Sequence, residues 1–323
     1  MTISFYMPES CLPSPDRRAA WEQNRVPALL SGGKPACAQA WLYQTWVELR
    51  DLAPVELVTS LPDAGTIVTL GNFLAPDFRA KPGQFLADVV ADFVPHPGAQ
   101  FHIVQNRAHL CRLPDSAFIP HWPQPNLVPR DPRRGDRIEN VAFFGDRPNL
   151  APELATDAFA ADFHRATGAA FFVREAARWH DYSDVDVAIA IRDFTAAQHL
   201  RKPPTKLSNA WLAKVPLIAG RDSAFAAEGK SGRDFLTARS PADVIRLVNQ
   251  LKDNPTLRRQ IVSAGEKKSA VFTRDAIRET WRSLCAGFLP EAAARWHKKS
   301  PTAQNLFWLT RKSVLFLDRT IRS

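Results

Sequence analysis

The sequence has few of the residues that build disulfide frameworks, metal centres or membrane spans. Its four cysteines, Cys11, Cys37, Cys111 and Cys285, lie far apart with no CxxC pair, so they predict neither a zinc site nor a disulfide framework. No stretch of about 18 uncharged apolar residues occurs, which argues against a membrane-spanning helix. The first residues lack the basic start and apolar stretch of a signal peptide, and we expect a cytoplasmic protein.

The signatures of two large protein classes are missing as well. No G-x-G-x-x-G follows the first predicted strand of either half, which argues against a dinucleotide-binding oxidoreductase. No helix-turn-helix, zinc finger or aromatic RNA-reading motif accompanies the basic residues, so we expect no nucleic-acid partner. We also expect no cofactor.

What the sequence does contain is the composition of an ordinary globular protein, with 45% apolar and 23% charged residues. Its 323 residues exceed an average domain of about 150 residues, which predicts two domains and a cleft between them. The stretch His121–Gly135 is the richest in proline and turn-forming residues, and we interpret it as the linker. We therefore expect an N-terminal domain over residues 1–135, a C-terminal domain over 136–290 and a tail over 291–323.

The excess of positive over negative charge is confined to the C-terminal half. Residues 1–136 carry 12 Lys and Arg against 13 Asp and Glu, whereas residues 137–290 carry 23 against 18 and residues 291–323 carry 7 against 2. A nearly neutral first domain beside a basic second one fits a small anionic ligand in the second domain and a tail attracted to an acidic surface.

Both halves alternate short β-rich runs with helical patterns, which is typical of a parallel sheet covered by helices. The predicted strands of the first half are Ile3–Met7, Val55–Ser60, Thr66–Leu70 and Phe101–Gln105, around a helical pattern at Ala38–Leu52. Those of the second half are Asn140–Gly145, Ala170–Arg174, Val185–Ile191, Val215–Ala219 and Asp234–Thr237. The predicted fold class is α/β, with two facing Rossmann-like domains and a C-terminal helical tail.

The tail has the pattern of a basic amphipathic helix. From Asn305 onward, Phe307, Val314, Leu317 and Ile321 share one helical face beside basic residues. Such a helix can lie on an anionic membrane, which would suit a lipid-linked substrate, or it can pack back onto the first domain. The sequence leaves both alternatives open.

The most informative stretch for chemistry is Arg201–Glu228. Two prolines precede Thr205, Lys206, Ser208 and Asn209, which come together where a helix should begin. A helix start presents free N–H groups and a partial positive charge, so with Lys206 beside it the segment predicts a phosphate site. The alternative is that Ser208 or Thr205 only caps the helix and the lysine is solvated.

Two charged side chains extend this predicted site. Arg192 follows an apolar strand at its carboxyl end, where a charge must face the cleft or find a partner such as Asp193 or Asp184. Lys202 lies in the loop that leads to the predicted helix. Positive charge from Arg192 and Lys202 beside a diphosphate leaving group would stabilise a transition state electrostatically.

A loop of the same half offers groups for acid–base chemistry. Arg174 ends a strand, and the segment RWHDYSD that follows contains His180 and Asp181. We take Arg174 as a donor contact and His180 with Asp181 as catalytic candidates, the alternative being that Asp181 caps the following turn. Asp184 and Asp186 resemble a metal-binding DxD motif, but Val185 starts a strand, and we expect no metal site.

The run KLSNAWLAKVPLIAGRDSAFAAEG resembles the donor-binding segment of GT-B (group 1) glycosyltransferases, in which a helix of the pattern E-A-x-x-x-G-x-P precedes a short apolar strand. Asn209 and Ala210 stand in place of Glu-Ala, Lys214 in place of glycine, and Pro216 matches the proline. The resemblance extends over about residues 138–285. It implies a GT-B fold, a nucleoside diphosphate sugar as donor, and sugar transfer without a metal ion.

The sequence departs from the family at two glutamates eight positions apart, where it has Arg201 and Asn209. Asp222 and Glu228 remain as candidates to bind the ribose or the sugar hydroxyls, together with Ser208 and Asn209 at the helix start. The missing glutamates also keep a second hypothesis open, that of a nucleotide-sugar-binding or scaffold protein without turnover.

The resemblance places the acceptor in the first domain, and we expect a glycan, a polysaccharide or a lipid-linked molecule. An inverting enzyme would need a general base there, and the sequence singles out none. The eligible side chains are His102, His109, His121, Asp77 and Asp115. Gly71 and Asn72, after a predicted strand, could bring backbone close to an acceptor.

Overall fold

A computed structural model describes residues 2–22 and 33–320 of the chain, with side chains described for residues 2–21 and 35–311. The first half forms a six-stranded sheet in the order β2-β1-β3-β4-β5-β6, in which every pair is parallel. Its strands are β1 Ile3–Tyr6, β2 Val55–Val58, β3 Gly65–Thr69, β4 Gln84–Val89, β5 Phe101–Val104 and β6 Ser116–Phe118. Its helices are α1 Pro15–Glu22, α2 Gly33–Ala38 and α3 Gln44–Leu49, the last two joined by a π-helical turn.

The second half forms a separate five-stranded parallel sheet in the order β11-β10-β9-β7-β8. Its strands are β7 Asn140–Phe144, β8 Ala170–Arg174, β9 Val187–Ala190, β10 Leu217–Ala219 and β11 Leu236–Thr237. Its helices are α4 Asp157–Thr167, α5 Thr205–Leu212, α6 Ser223–Glu228, α7 Pro241–Asp253 and α8 Pro255–Ser269. The chain ends in α9 Arg274–Ser283, α10 Leu289–His297 and α11 Pro301–Thr320.

The predicted fold class is confirmed, since two parallel sheets with helices make an α/β protein. Each predicted strand is present to within a few residues. Strands β4 and β6 and helices α1 and α6 were not predicted from the sequence. Strand β4 was hidden because Gln84 and Asp88 interrupt its apolar run, although all six of its residues are buried. Strand β6 has only three residues at the edge of the sheet.

The side chains of the second sheet alternate between two cores, as the two-residue period of a strand requires. In β7, Val141 and Phe143 pack into the core on one face, whereas Ala142 and Phe144 pack into the core on the other. Helices α4 and α7 cover the first face, and α5 covers the second with Leu207, Ala210 and Trp211. Burial on both faces explains why these strands read as continuous apolar runs.

The segment His121–Gly135 is bonded to both halves of the chain. Trp122 is fully buried in the first core and donates its indole N–H to Oγ1 of Thr45 at 2.9 Å. Six residues later, the N–H of Val128 donates to the carbonyl of His180 at 2.7 Å. The linker is thus bonded to both halves. We propose that the domain boundary lies at its end, after residue 135.

The chain returns to the first half earlier than the predicted boundary at residue 290. Ile277 and Trp281 of α9 and Leu289 of α10 lie in the first core, where the Trp281 ring stands 6.1 Å from that of Phe5. The carboxylate of Glu48 accepts hydrogen bonds from Arg274 and Arg278 at the point of return. Residues 274–290, expected in the second domain, therefore pack against the first sheet, because their apolar face fits that core.

The described part of the tail packs on the first half, which was one of the two alternatives. Trp308 is buried against Trp296, with ring centroids 5.6 Å apart, and Arg311 donates to the carbonyl of Pro114 at 3.1 Å. Leu306 and Leu309 are 60% and 67% exposed on the same helix. The predicted face included the side chains of Val314 and Leu317 and the whole of Ile321, which lie outside the described residues. Within the described range, no helix is long and apolar enough to cross a membrane.

Candidate functional site

The carboxyl ends of the two sheets approach each other, and polar side chains join them there. Nζ of Lys202, in the loop before α5, lies 3.2 Å from the carboxylate of Asp92, which follows β4. Nδ2 of Asn106, after β5, donates to the hydroxyl of Ser223 in α6 at 2.8 Å. Ligands of open α/β sheets bind beyond the carboxyl ends of the strands, so this junction is the candidate site.

Lys206 lies at the centre of the second half's side of the junction. Its ammonium is 5.2 Å from the ring centroid of Phe143 in β7, and a side chain on Gly145 would meet the lysine stem at 3.3 Å. Gly145, with a φ of 150°, therefore leaves the space in which the lysine lies. Within the described part of the chain, no carboxylate comes within ion-pair distance of this ammonium.

The surroundings of Lys206 disfavour its charge. Burial, and next the positive charge of Arg192, lower the pKa of Lys206 to about 7, with Asp222 and Asp92 opposing the shift. An amine that has no ion pair and lies beside a second cation favours an anionic ligand. The predicted placement of Lys206 at a helix start is observed, since it is the second residue of α5.

The other two predicted phosphate-binding cations have partners. Nε of Arg192 lies 3.0 Å from the carboxylate of Asp222, which is almost fully buried. From the sequence, Asp193 or Asp184 was the expected partner of Arg192, and the structure gives Asp222 instead. Asp222 therefore balances the charge of Arg192 at the candidate site. Lys202 is held by Asp92 across the junction.

The loop backbones on both sides of the Lys202–Asp92 pair are strained. Ala91, directly before Asp92, has a φ of 46°, and His199, three residues before Lys202, has a φ of 47°. Residues other than glycine seldom adopt this region, at a cost of about 1–3 kcal/mol each. Asp92 is half exposed and Lys202 one-third exposed, so a ligand can reach both. Asp92 was missed because strand β4 was not predicted.

Ser208 and Asn209 each have a hydrogen-bond partner within the protein. The hydroxyl of Ser208 donates to the carbonyl of Thr205 at 3.1 Å inside α5. Oδ1 of Asn209 accepts from the backbone N–H of Gln124 in the linker at 3.1 Å, and both side chains are buried. The structure therefore gives Ser208 a role inside its own helix and Asn209 a role between helix and linker, because their partners lie within hydrogen-bond distance.

Glu228 also has a partner from the other half. Its carboxylate accepts from Nε of Arg107 at 3.0 Å, and its side chain is 7% exposed. Arg107 in turn lies 4.1 Å from the ring centroid of Phe118 in β6. Glu228 therefore joins α6 to the first sheet, and its oxygens are turned toward that contact.

Arg174 lies at the end of β8, the edge strand of the second sheet. It pairs with Asp184 and stacks over the Phe172 ring at 4.9 Å, and its side chain is 5% exposed. These contacts keep the guanidinium in the packing next to Phe144 and Tyr182, whose rings stack at 3.8 Å. The prediction of Arg174 as a donor contact finds no support in this geometry.

The predicted catalytic pair is bonded within its own loop. Oδ1 of Asp181 accepts from the N–H and the hydroxyl of Ser183, and Oδ2 accepts from Arg178 at 2.6 Å. Burial alone would raise the pKa of Asp181, but the hydrogen bonds from Ser183 and Arg178 hold this pKa at about 2. Such a carboxylate is a poor proton donor or acceptor near neutral pH. The carbonyl of His180 accepts a hydrogen bond from the N–H of Val128 in the linker. The alternative in which Asp181 caps the following turn therefore describes this loop better.

The DxD-like pair is occupied by cations of the protein. Asp184 pairs with Arg174, and the carboxylate of Asp186 accepts from Arg130, Arg134 and two backbone N–H groups. Although burial opposes it, these hydrogen bonds, led by the one from Arg134, lower the pKa of Asp186. Asp186 thus fastens the linker to the second sheet, whereas Asp184 holds Arg174 within the second half.

Two of the eligible bases, His102 and His109, are buried inside the first half, and His121 is partly buried. Burial lowers the pKa of His102 and that of His121. His102 is fully buried with Nδ1 3.3 Å from Asp88, whose carboxylate also accepts the N–H groups of Gly71 and His96. Gly71 is therefore a structural residue, since a side chain there would meet His96 at 2.5 Å. Both Gly71 and His102 are buried within the first half.

The sequence matches no protein-family model and no curated protein sequence. Solved structures do resemble the fold. A sucrose-phosphate synthase from Thermosynechococcus elongatus superposes with a TM-score of 0.54 at 11% identity, covering 90% of this chain and 100% of that one. Anabaena HepE in complex with UDP gives a TM-score of 0.52 at 13% identity, with the same coverage. At such low identity the likeness concerns the fold, and the chain has the two-sheet GT-B fold of these glycosyltransferases.

Proposed function

We propose that this protein is a glycosyltransferase that moves a sugar from a nucleoside diphosphate sugar to an acceptor. Fold alone does not establish activity, so the proposal depends on the site. The observation that carries the proposal is the side-chain amine of Lys206, which has no ion pair in the described structure. It lies at the start of α5, next to Gly145 and beside Arg192. The crystallised HepE contained UDP, which supports a uridine nucleotide as the first ligand to test.

In this proposal the diphosphate lies between the end of β7 and the start of α5. Lys206 donates a charge-assisted hydrogen bond to a phosphate oxygen, and Arg192, oriented by Asp222, supplies a second cation. As the bond between sugar and phosphate breaks, negative charge grows on the leaving diphosphate, and these fixed cations stabilise it. We propose that they do so without a metal ion. The acceptor is held from the first half, where Asp92 faces the site, and its hydroxyl oxygen forms the new bond to the sugar carbon while the diphosphate leaves and the hydroxyl proton is released.

Calorimetric titration of UDP and other nucleoside diphosphates tests the donor site. Lys206→Ala should weaken binding by roughly ten- to a hundredfold, because a charge-assisted hydrogen bond contributes about 1.5–3 kcal/mol. Lys230→Ala is the matched control, since Lys230 is an exposed lysine at the far end of α6 with no ion pair in the described structure. Unchanged UDP affinity in folded Lys206→Ala would contradict the proposed donor site.

A non-catalytic nucleotide-sugar-binding protein is the second candidate. It is favoured by Asn209, which stands where the resembling family has a glutamate and is bonded to Gln124 rather than turned to a ligand. The two candidates differ in turnover. Release of nucleoside diphosphate from a panel of nucleotide sugars supports the enzyme, whereas tight binding with no release in the presence of candidate glycan or lipid-linked acceptors supports the binding protein.

We also propose that the tail contacts an anionic membrane at the cytoplasmic side, through residues other than the predicted face. Leu306 and Leu309 are exposed on α11, and residues 291–323 carry 7 basic against 2 acidic residues. A truncation at Pro301 would remove the buried Trp308, so Leu306→Glu with Leu309→Glu is the better test. Equal flotation of this variant and the wild type with anionic liposomes would contradict the membrane contact.

A further inference from the structure

A second groove runs between the two halves beside the candidate donor site. It has a volume of about 580 Å³. Ala108, Cys111 and Arg112 line it from the first half, within the 3₁₀ turn Arg107–Arg112. The second half contributes residues of the loop 196–200, Arg221, and the outer face of α6. The groove therefore opens only where both halves meet.

The groove is positively charged and has no internal counter-ion. Arg112 and Arg221 are its only charged lining residues, and no carboxylate lines it in the described part of the chain. Arg112 donates through Nη2 to Oε1 of Gln198 at 3.1 Å, while its Nη1 is buried without an acceptor. Arg221 donates through Nε to the carbonyl of Thr195 at 3.1 Å. Neither guanidinium forms an ion pair within the described residues.

Arg112 and Arg221 differ from three neighbouring cations, each of which has a carboxylate partner. Arg107 pairs with Glu228, Arg192 with Asp222 and Lys202 with Asp92, so three nearby cations are each balanced by one carboxylate. Arg112 and Arg221 have no carboxylate partner in the described structure, and the N–H groups that do not bond to Gln198 or Thr195 are available to a ligand. The guanidinium presents several N–H donors in a fixed plane, which matches the oxygens of a phosphate group.

We infer that this groove binds a phosphate-bearing group of the acceptor. The inference rests on the proposed function, since it names the chemical class of the second substrate. Arg221 and Ser223 flank Asp222 in sequence, and Asp222 orients Arg192 at the donor site. A phosphate held by Arg112 and Arg221 therefore lies next to the donor position, and it neutralises two cations from opposite halves at once. The remaining lining is made of small and apolar residues, among them Ala108, Leu200 and Ala226, which leaves room for the rest of the acceptor.

Cys111 provides a direct readout of this groove. Its thiol is exposed in the groove wall, whereas Cys11 and Cys285 are buried. Burial, and next the charge of Asp92, raise the pKa of Cys37 to about 12, which keeps that thiol slow to alkylate. The rate of iodoacetamide alkylation at Cys111, followed by peptide mass spectrometry, therefore reports whether the groove is filled.

The experiment measures protection of Cys111 by inorganic pyrophosphate, by glycerol phosphate and by phosphatidylglycerol vesicles. The protein is saturated with UDP so that the donor cations are already occupied. The double variant Arg112→Gln with Arg221→Gln should require at least about tenfold more ligand than wild type for the same protection, because two charge-assisted bonds are lost. Arg239→Gln, at an exposed arginine outside the groove, is the control and should match wild type. Protection by soluble phosphates alone identifies a soluble acceptor, and protection by vesicles alone identifies a lipid-linked one.

Absence of protection by all three probes would overturn the inference, and so would equal protection in wild type and the double variant. The donor proposal fails by a different result, namely the absence of UDP binding in calorimetry. In that case the alkylation series is repeated without UDP in the Lys206→Ala background. If the added substitutions of Arg112 and Arg221 abolish protection there, the result still supports phosphate binding in the groove. The two failures are thus distinguishable.

Discussion

The carboxylate of Asp92 lies 3.2 Å from Nζ of Lys202, and this ion pair joins the end of β4 in one sheet to the loop before α5 in the other. Lys202 is one of the cations around Lys206, so Asp92 occupies a position at which a bound diphosphate would compete for the same ammonium. The pair is also half exposed, which limits its strength.

The first prediction follows from that competition. Asp92→Asn should raise the affinity for UDP by about two- to fivefold, because it frees Lys202 from a surface ion pair worth about 0.5–1 kcal/mol. Calorimetric titration measures the change. Asp77→Asn, at an exposed aspartate of the same half, is the control. Lower affinity in Asp92→Asn would instead place Asp92 among the groups that stabilise the bound state.

Lys206 gives a prediction about pH. Because the pKa of Lys206 is about 7 in the free protein, a large part of its amine is neutral at pH 8. UDP requires the ammonium, so its affinity should fall as pH rises from 6.5 to 8.5, and binding near pH 7.5 should take up protons. Titrations in buffers of different ionisation enthalpy measure that uptake, and Lys206→Met should abolish it. A wild type that takes up no proton would contradict contact between Lys206 and the phosphate.

The lowered pKa of Lys206 also makes the free energy of unfolding depend on pH. The unfolded chain keeps the lysine proton up to the ordinary pKa of 10.5, whereas the folded protein releases it near pH 7. The unfolded state therefore binds more protons between these values, and the contribution of Lys206 to the free energy of unfolding rises with pH across that window. Urea denaturation should show that Lys206→Met gains stability relative to wild type at pH 7, and gains less at pH 10. A difference that is constant with pH would contradict the depressed pKa.

The two sheets could be predicted from local patterns, whereas the pairs that build the site could not. Strands such as Asn140–Phe144 are recognisable because they are apolar on both faces and end at a glycine. The contact of Arg107 with Glu228 joins residues 121 positions apart, and no local pattern encodes it. The cations of the site were therefore identified from the sequence, but their counter-ions were not.

Asp92 illustrates why part of the site was hidden. Strand β4 was not recognised because Gln84 and Asp88 interrupt its apolar run. Burial of both is tolerated since Gln84 accepts from Lys81 at 2.6 Å, and Asp88 accepts from Gly71 and His96 at 2.7 Å. With the strand unrecognised, the carboxylate at its end could not be placed at the junction.

Asn209 leads to a prediction that revises the one made from the sequence. Asn209→Ala removes the acceptor of the buried Gln124 N–H, which should lower the free energy of unfolding by about 1–2 kcal/mol. UDP affinity should stay within about twofold of wild type, since the side chain is turned to the linker. Urea denaturation and calorimetry measure the two effects. Asn249→Ala, which loses an exposed hydrogen bond on α7, is the control. A large loss of UDP affinity with normal stability would restore Asn209 as a donor contact.

The approach of α8 to α5 is tight at Gly265. A side chain on Gly265 would come within 2.2 Å of Cδ1 of Trp211, whose indole N–H is fixed on the carbonyl of Asp234 at 2.9 Å. Gly265→Ala gains about 0.5–1 kcal/mol of helix propensity but must displace a buried ring, which costs about 1–3 kcal/mol. We expect a net loss of about 1–2 kcal/mol in urea denaturation. Gly287→Ala, where no atom lies within 4 Å of the added carbon, should be neutral or stabilising. If both variants were equally stable, Trp211 would have to move without cost, and the packing that holds α5 and its Lys206 in place would be looser than described.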